Sequence, residues 1–445
     1  MQKKDNFWFS PYLRKVFETP SIDCSEWFGY YNYDTLNKDQ SKMLCGRSKT
    51  DGVAPQKGMS IELGYYDIPS GVWHHIGESD SWNWQQGAMM QWLETDDGGC
   101  KIIYNCSKSN RLISRIVDIN SGDVKDLDWP IYDITPDKKK SIAIDLERSY
   151  WCRAYHYQSV ANTLKDGDVY EDDGIFEIDL TNNTRRRIIS IRDVINIDKR
   201  EDFDGQKHWL EHIMINPSGT RFCFLHRFSP KNNVFKYETR LFIADIDGTN
   251  LRYVPGWDKV RWSHFGWCGD NAFAIYTYCP SKFNVDPSKS SFTIKGHSFR
   301  GIVMRMLRKA VSLLPYGIAR QLGNSYSAYR YYKISENGTI VFDKTMDPKL
   351  SRIDGHPSFT HDESYMITDT YCDKQSWQSL YVYDLYRRRA ITLARFNAFY
   401  NGNPASCDLH PKLCNDNNFI VVDTAYNEKH HMIVFQIDWK RIASK

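Results

Sequence analysis

Short runs in which apolar and polar residues alternate fill most of this chain, and turn residues separate them, which is the pattern of strands rather than helices. Four such runs, Arg221 to Phe228, Asn271 to Tyr278, Tyr365 to Tyr371 and Phe419 to Tyr426, each follow a segment of the same design. In His212-x-x-Ile215-Asn216-Pro217-Ser218-Gly219, His264-x-x-Trp267-Cys268-Gly269-Asp270, His356-Pro-Ser-Phe359-Thr360-His361-Asp362 and His410-Pro-Lys-Leu413-Cys414-Asn415-Asp416, a histidine stands three residues before an apolar residue that enters a turn. Tyr33, Met89 and Ile131 begin comparable segments nearer the N-terminus. Units starting near 33, 89, 131, 212, 264, 356 and 410 therefore repeat with a period of roughly 50 residues, the signature of a propeller or solenoid.

Third strands such as Ser114–Ile119, Ile175–Leu180, Arg240–Ile246 and Leu380–Asp384 complete the unit. Small antiparallel sheets cannot bury both faces alone, so they pack radially around an axis. The expected fold is all-β, a seven-bladed β-propeller formed by residues 1–445 as one domain, with aromatic residues (14%) wedged between blades. In that arrangement the first strand of each blade lines the central channel, and the four histidines meet at one mouth. The second strands return to the same mouth with His226-Arg227, Asp369, Tyr371 and Asp423. A mouth holding histidine, arginine, tyrosine and carboxylate is the default candidate for an active site. The plainer alternative is that such histidines cap strands or bond neighbouring blades.

One segment breaks the repeat, an insertion over 281–325 in blade five. Within it, residues 299–314 carry basic residues and no acidic ones; Arg305, Arg308 and Lys309 fall on one helical face, with Val303, Met306, Leu307, Ala310 and Leu314 opposite. Such a helix either packs on the side of the propeller or lies on an anionic membrane surface.

Composition narrows the function classes. With 58 basic and 55 acidic residues the net charge is only +3, which does not suit a polynucleotide partner. Eleven cysteines without a CxxC pair fit free thiols in a reducing compartment. The N-terminus has no apolar h-region and no 18-residue apolar run follows, so a cytoplasmic protein is expected, with peripheral contact at the inner membrane face through 299–314.

Phe28-Gly-Tyr-Tyr31, Trp82-Asn-Trp-Gln-Gln-Gly-Ala-Met-Met-Gln-Trp92, His208-Trp-Leu-Glu-His212 and Asn216-Pro-Ser-Gly-Thr-Arg-Phe-Cys-Phe-Leu-His-Arg227 resemble elements of the propeller polysaccharide lyases, meaning the oligogalacturonate lyases and the short ulvan lyases with their uncharacterised relatives. Ser263-His264, Asp354-Gly-His-Pro-Ser-Phe359, Thr368-Asp-Thr-Tyr371 and Cys407-Asp-Leu-His-Pro411 extend the likeness over nearly the whole chain. The resemblance implies β-elimination at a uronic acid in an acidic glycan. That reaction needs a cation on the carboxylate, a base for the C5 proton and an acid for the departing O4.

On the resemblance, His212, His226 and His264 are candidate bases or substrate contacts, Tyr155 and Tyr157 candidate acids, and Tyr278 a third. Arg227 and Arg153 would clamp a carboxylate, with Gln86 and Tyr371 binding substrate. By blade position, His356, His410 and Asp408 would hold a divalent metal, manganese or zinc. Asp408 stands where the oligogalacturonate lyases have histidine, and Cys407 is close enough to join a zinc site. The two relatives put the base on different blades, at His212 or His264, and that choice stays open. Other readings are a non-catalytic cytoplasmic propeller that binds glycan or serves surface-polysaccharide biosynthesis at the membrane, a protein-interaction propeller, and a glycosidase using Asp369 and Asp423.

Overall fold

In the computed structural model, residues 6–50, 52–94, 98–153, 157–255, 262–279, 293–294, 297–313, 326–346, 353–399, 405–414 and 416–444 are described. Among them, seven sheets of four or five antiparallel strands form the blades of a β-propeller. Blade four, the most regular, runs outward from the axis through Gln206–Ile215, Arg221–Pro230, Glu238–Asp245 and Arg252–Tyr253. The innermost strands of the other blades are Ser25–Trp27, Gln91–Glu94, Asp133–Ile134, Trp262–Trp267, Ser358–Phe359 and Lys412–Leu413.

The N-terminal segment closes the ring. Phe7–Phe9 pairs with Arg389–Asn397 at the outer edge of blade six, and Leu13–Glu18 pairs with His431–Ile437 to complete blade seven. Main-chain hydrogen bonds thus tie the first described residues to the last, satisfying edges that would otherwise stay open. Nothing in the repeat marked this closure, because these two strands lie outside any unit.

Burial refines the expected alternation. Phe222, Cys223, Phe224 and Leu225 are all buried, because a middle strand lies between two neighbouring blades and both of its faces meet apolar surface. Outer strands such as Val72–Ser79 instead meet water along much of their length.

The first blade departs from the template. Its inner strand is Ser25–Trp27, and Leu36 rejoins the sheet only by an isolated bridge to Met43. Between them the chain leaves the blade and enters the channel, burying Phe28, Tyr30, Tyr31 and Tyr33. Gly29 makes this possible. Its φ is +134°, and a Cβ there would lie 2.7 Å from the main chain of Gln86.

The repeated position has a geometry of its own. Met89, His212 and His410 have φ of 54°, 55° and 41°, and the pairing of blades four and five slips between Glu211 and Met214 and between Trp262 and Phe265. Such kinks re-aim a side chain that would otherwise follow the pleat, here towards the axis.

Candidate active site

The four repeat histidines meet around Tyr30. Its ring centroid lies 5.3 Å from those of His212 and His410, 6.1 Å from His356 and 6.5 Å from His264. His356 is 4.2 Å from both His264 and His410, and His212 is 6.2 Å from His264. Tyr31, whose hydroxyl donates to the Phe265 carbonyl at 2.6 Å, helps Tyr30 plug the channel beneath them. A cavity of about 970 Å³ opens at the opposite end, among turn residues such as Pro217, Asp270 and His361, and the histidine cluster is not part of it.

Three donors form a tight group. Ligand atoms of His356, Asp408 and His410 all lie within 4.8 Å of one another, and all three residues are buried. Asp369 organises them. Its carboxylate accepts from His356 Nδ1 at 2.9 Å and from the backbone N–H groups of His356 and His410 at 2.7 and 3.2 Å. With Nδ1 of His356 so engaged, Nε2 is left as the basic nitrogen, the arrangement that prepares a histidine to bind metal. His410 Nε2 is buried with no hydrogen-bond partner in the protein.

Burial, with Asp369 nearby, holds the Asp408 carboxyl well above its ordinary value, against a hydrogen bond from Gln85. Burial likewise depresses His356 and His410. His356 and His410 thus present neutral imidazole nitrogens beside a carboxyl oxygen, the donor types that a divalent cation takes. The donors therefore fit a divalent cation, and their nitrogen and oxygen atoms suit manganese and zinc alike. Cys407 is not in the group, and burial keeps its thiol protonated.

His264 stands beside this group on different partners. Nδ1 is 3.2 Å from Asp354 Oδ1 and from Ser263 Oγ, and Nε2 is 3.5 Å from the Tyr371 hydroxyl. A carboxylate beside Nδ1 favours the tautomer with its proton on that nitrogen, which makes Nε2 the acceptor.

A second charged group lies on the blade-four side. Glu211, wholly buried, meets Arg227 Nη1 at 2.6 Å, Arg153 Nε at 3.5 Å, His212 Nε2 at 3.4 Å and the Trp209 indole N–H at 2.6 Å. Two guanidiniums thus converge on one buried carboxylate. Tyr237 lies between them, its ring 4.6 Å from the Arg227 Cζ and 4.7 Å from the Arg153 Cζ. Burial raises its phenol, but Arg227 and then Arg153 outweigh burial and the net shift is downward. Sequence reasoning missed Tyr237, Glu211, Asp354 and Gln85. Tyr237 precedes a strand in a stretch without repeat register, and only its neighbours reveal it.

Several predicted site residues lie elsewhere. His226 is buried inside blade four, where Nε2 is 3.0 Å from His208 Nδ1 and Nδ1 accepts from Arg240 Nε at 3.2 Å. Successive residues of a strand face opposite ways, so Arg227 reaches the Glu211 group and His226 cannot. Tyr157 is fully buried, and its hydroxyl accepts from Asn105 Nδ2 at 3.2 Å; burial raises that phenol, which therefore has neither the access nor the acidity of a proton donor. Gln86 is buried and donates to the Tyr132 hydroxyl, while its neighbour Gln85 reaches Asp408, because the chain here forms a turn and not a strand. Tyr155 lies outside the described residues. Tyr278 is at the rim, 36% exposed.

Asp369 and Asp423 do not face one bond. The first holds the histidines, while the second is 2.8 Å from Lys412 Nζ and accepts from the Phe28 and Gly29 backbone. That removes the pair a glycosidase would need.

No family model matches the chain, and no curated protein matches it. Solved structures do. A structure described as oligogalacturonate lyase in complex with manganese superposes with a TM-score of 0.59 at 15% identity, covering 98% of this chain and 97% of that one. This chain has the fold of the oligogalacturonate lyases. A second, the oligogalacturonate lyase of Vibrio parahaemolyticus, gives 0.58 at 14% identity with the same coverage.

Proposed function

We propose that the protein is a lyase that cleaves a uronic-acid-containing oligosaccharide by β-elimination. The observation that carries this reading is the buried His356–Asp408–His410 donor group set beside the Asp354-paired His264. A similar fold whose solved structure holds manganese supports it. His356, Asp408 and His410 would hold the divalent cation, and the cation when bound would neutralise the uronate carboxylate, where charge builds as the C5 proton leaves.

The protein's own groups account for the rest. Of the two candidate bases, His264 is better prepared, because Asp354 lies beside Nδ1 and Nε2, next to the Tyr371 hydroxyl, is the acceptor nitrogen suited to the C5 proton. His212 instead turns Nε2 towards Glu211. Tyr237, lowered by two guanidiniums, is the group suited to return a proton to O4. Arg153 and Arg227 bring two guanidiniums together around Glu211, a geometry that suits the carboxylate of an adjacent sugar. Two separate cationic features imply a substrate with consecutive uronates.

The test is mass spectrometry of trigalacturonate after incubation with manganese-loaded protein. Products that sum to the substrate mass without added water, one bearing a 4,5-double bond, meet the expectation. Hydrolytic products, or intact substrate with binding still detected, would replace the lyase by a hydrolase or by a glycan-binding propeller.

A further inference from the structure

The insertion in blade five leaves and rejoins the propeller at one place. Cys279, the last residue of the second strand, pairs with Tyr326, the first of the third. Thr277 pairs with Trp262, two residues before His264, so this junction is at the end of the blade that carries the candidate active site. Between the two strands the helix Phe299–Ser312 is described, preceded by a small hairpin of Thr293–Ile294 with His297–Ser298.

Two observations about this helix converge. Its apolar face is in solvent: Val303 is 38% exposed, Met306 68%, Leu307 46% and Leu313, just beyond the last turn, 82%. At 100° per residue these positions and Ala310 share one stripe, while Arg305, Arg308 and Lys309 fall opposite. A stripe of that kind normally faces a core. The second observation is charge. From Asp286 to Glu336 the sequence has nine basic residues and no acidic one between them, in a chain whose net charge is only +3. The local excess is larger than the whole protein's.

We propose that the helix Phe299–Ser312 is an interfacial anchor that lies flat on an anionic lipid surface, its Val303–Met306–Leu307–Leu313 face in the acyl boundary and its arginines and lysine among the headgroups. A single convex helix has no groove to bound a protein ligand, whereas a bilayer needs only an apolar stripe with flanking cations. At 14 residues it is too short to span, and among the described residues no helix is long and apolar enough to cross a membrane. Anchored in this way, the helix would hold the active-site end of the propeller near the lipid surface.

The test is flotation of the full-length protein with vesicles of phosphatidylcholine alone and of phosphatidylcholine with phosphatidylglycerol. Co-flotation is expected with the anionic vesicles and not with the neutral ones. It should fall at least tenfold in Met306→Glu with Leu307→Glu, and comparably in Arg305→Gln, Arg308→Gln with Lys309→Gln. Circular dichroism confirms that each variant stays folded, which exposed positions on an inserted helix should allow. Absence of flotation with anionic vesicles, equal flotation with neutral ones, or flotation that both variants leave unchanged would overturn the proposal. None of these outcomes depends on whether the protein is a lyase.

Discussion

The stability of blade four should depend on pH through the buried His208–His226 pair, and the His208 share can be isolated. Arg240 Nε donates to His226 Nδ1 at 3.2 Å, which requires that nitrogen to be bare and puts the His226 proton on Nε2. That proton is donated to His208 Nδ1 at 3.0 Å, so His208 carries its own on Nε2 and donates it to the Phe203 carbonyl at 3.1 Å. Every site is used, and a further proton can enter only by breaking the chain. Burial accordingly lowers His208 from 6.5 to about 4, with the Arg240 and Arg148 charges adding to it. An unfolded chain takes up the proton as pH falls below 6.5 and the folded one does not, so stability is full above that pH and declines towards pH 4. For His208 the whole interval is worth about 3 kcal/mol, most of which is lost by pH 4.5. For a chain of 445 residues this moves the melting temperature by about 3 °C. The assay compares thermal unfolding of the wild type and His208→Gln at pH 7.5 and 4.5. The variant starts less stable and lacks this titration, so the difference between the two should shrink by about 2 to 3 kcal/mol at the lower pH. A gap that is the same at both pH values would refute the neutral, fully bonded pair.

Other consequences follow from single contacts. Gly29→Ala places a Cβ against the Gln86 main chain at a φ of +134°, and should cost about 2 kcal/mol or more, read as a lower denaturant midpoint. Asp369→Asn removes the charge that orients His356 and should weaken manganese binding by about 10- to 100-fold, measured by calorimetry on metal-free protein. Tyr237→Phe keeps the ring between the two guanidiniums but loses the proton, so kcat should fall by about 10²- to 10⁴-fold with KM little changed; a loss confined to KM would make Tyr237 a binding residue.

Much of this arrangement was legible in the sequence because a propeller turns period into position. His212, His264, His356 and His410 occupy equivalent places in four units, and the fold brings equivalent places to one axis. The repeat said nothing of residues that act from outside it. Tyr30 and Tyr31 reach the histidines through an excursion that Gly29 permits, and the outer strands Phe7–Phe9 and Leu13–Glu18 close blades to which they do not belong in sequence. Errors over site residues have equally local causes. His226 and Arg227 are adjacent on a strand and so face apart; Gln85 and Gln86 are adjacent in a turn, and only one reaches Asp408. The roles of Asp354 and Asp369 depend on which imidazole nitrogen each one meets, which is a matter of side-chain placement and not of spacing.

The central claim is that this mouth removes a C5 proton beside a uronate carboxylate, with His264 as base. The most direct measurement is absorbance near 235 nm, where a 4,5-unsaturated uronate absorbs, during incubation of trigalacturonate with manganese-loaded wild type and His264→Ala. The account predicts a steady rise for the wild type that chelator removes and that falls by at least about 100-fold in the variant. No rise with the wild type, or a rise that His264→Ala leaves intact, would contradict it.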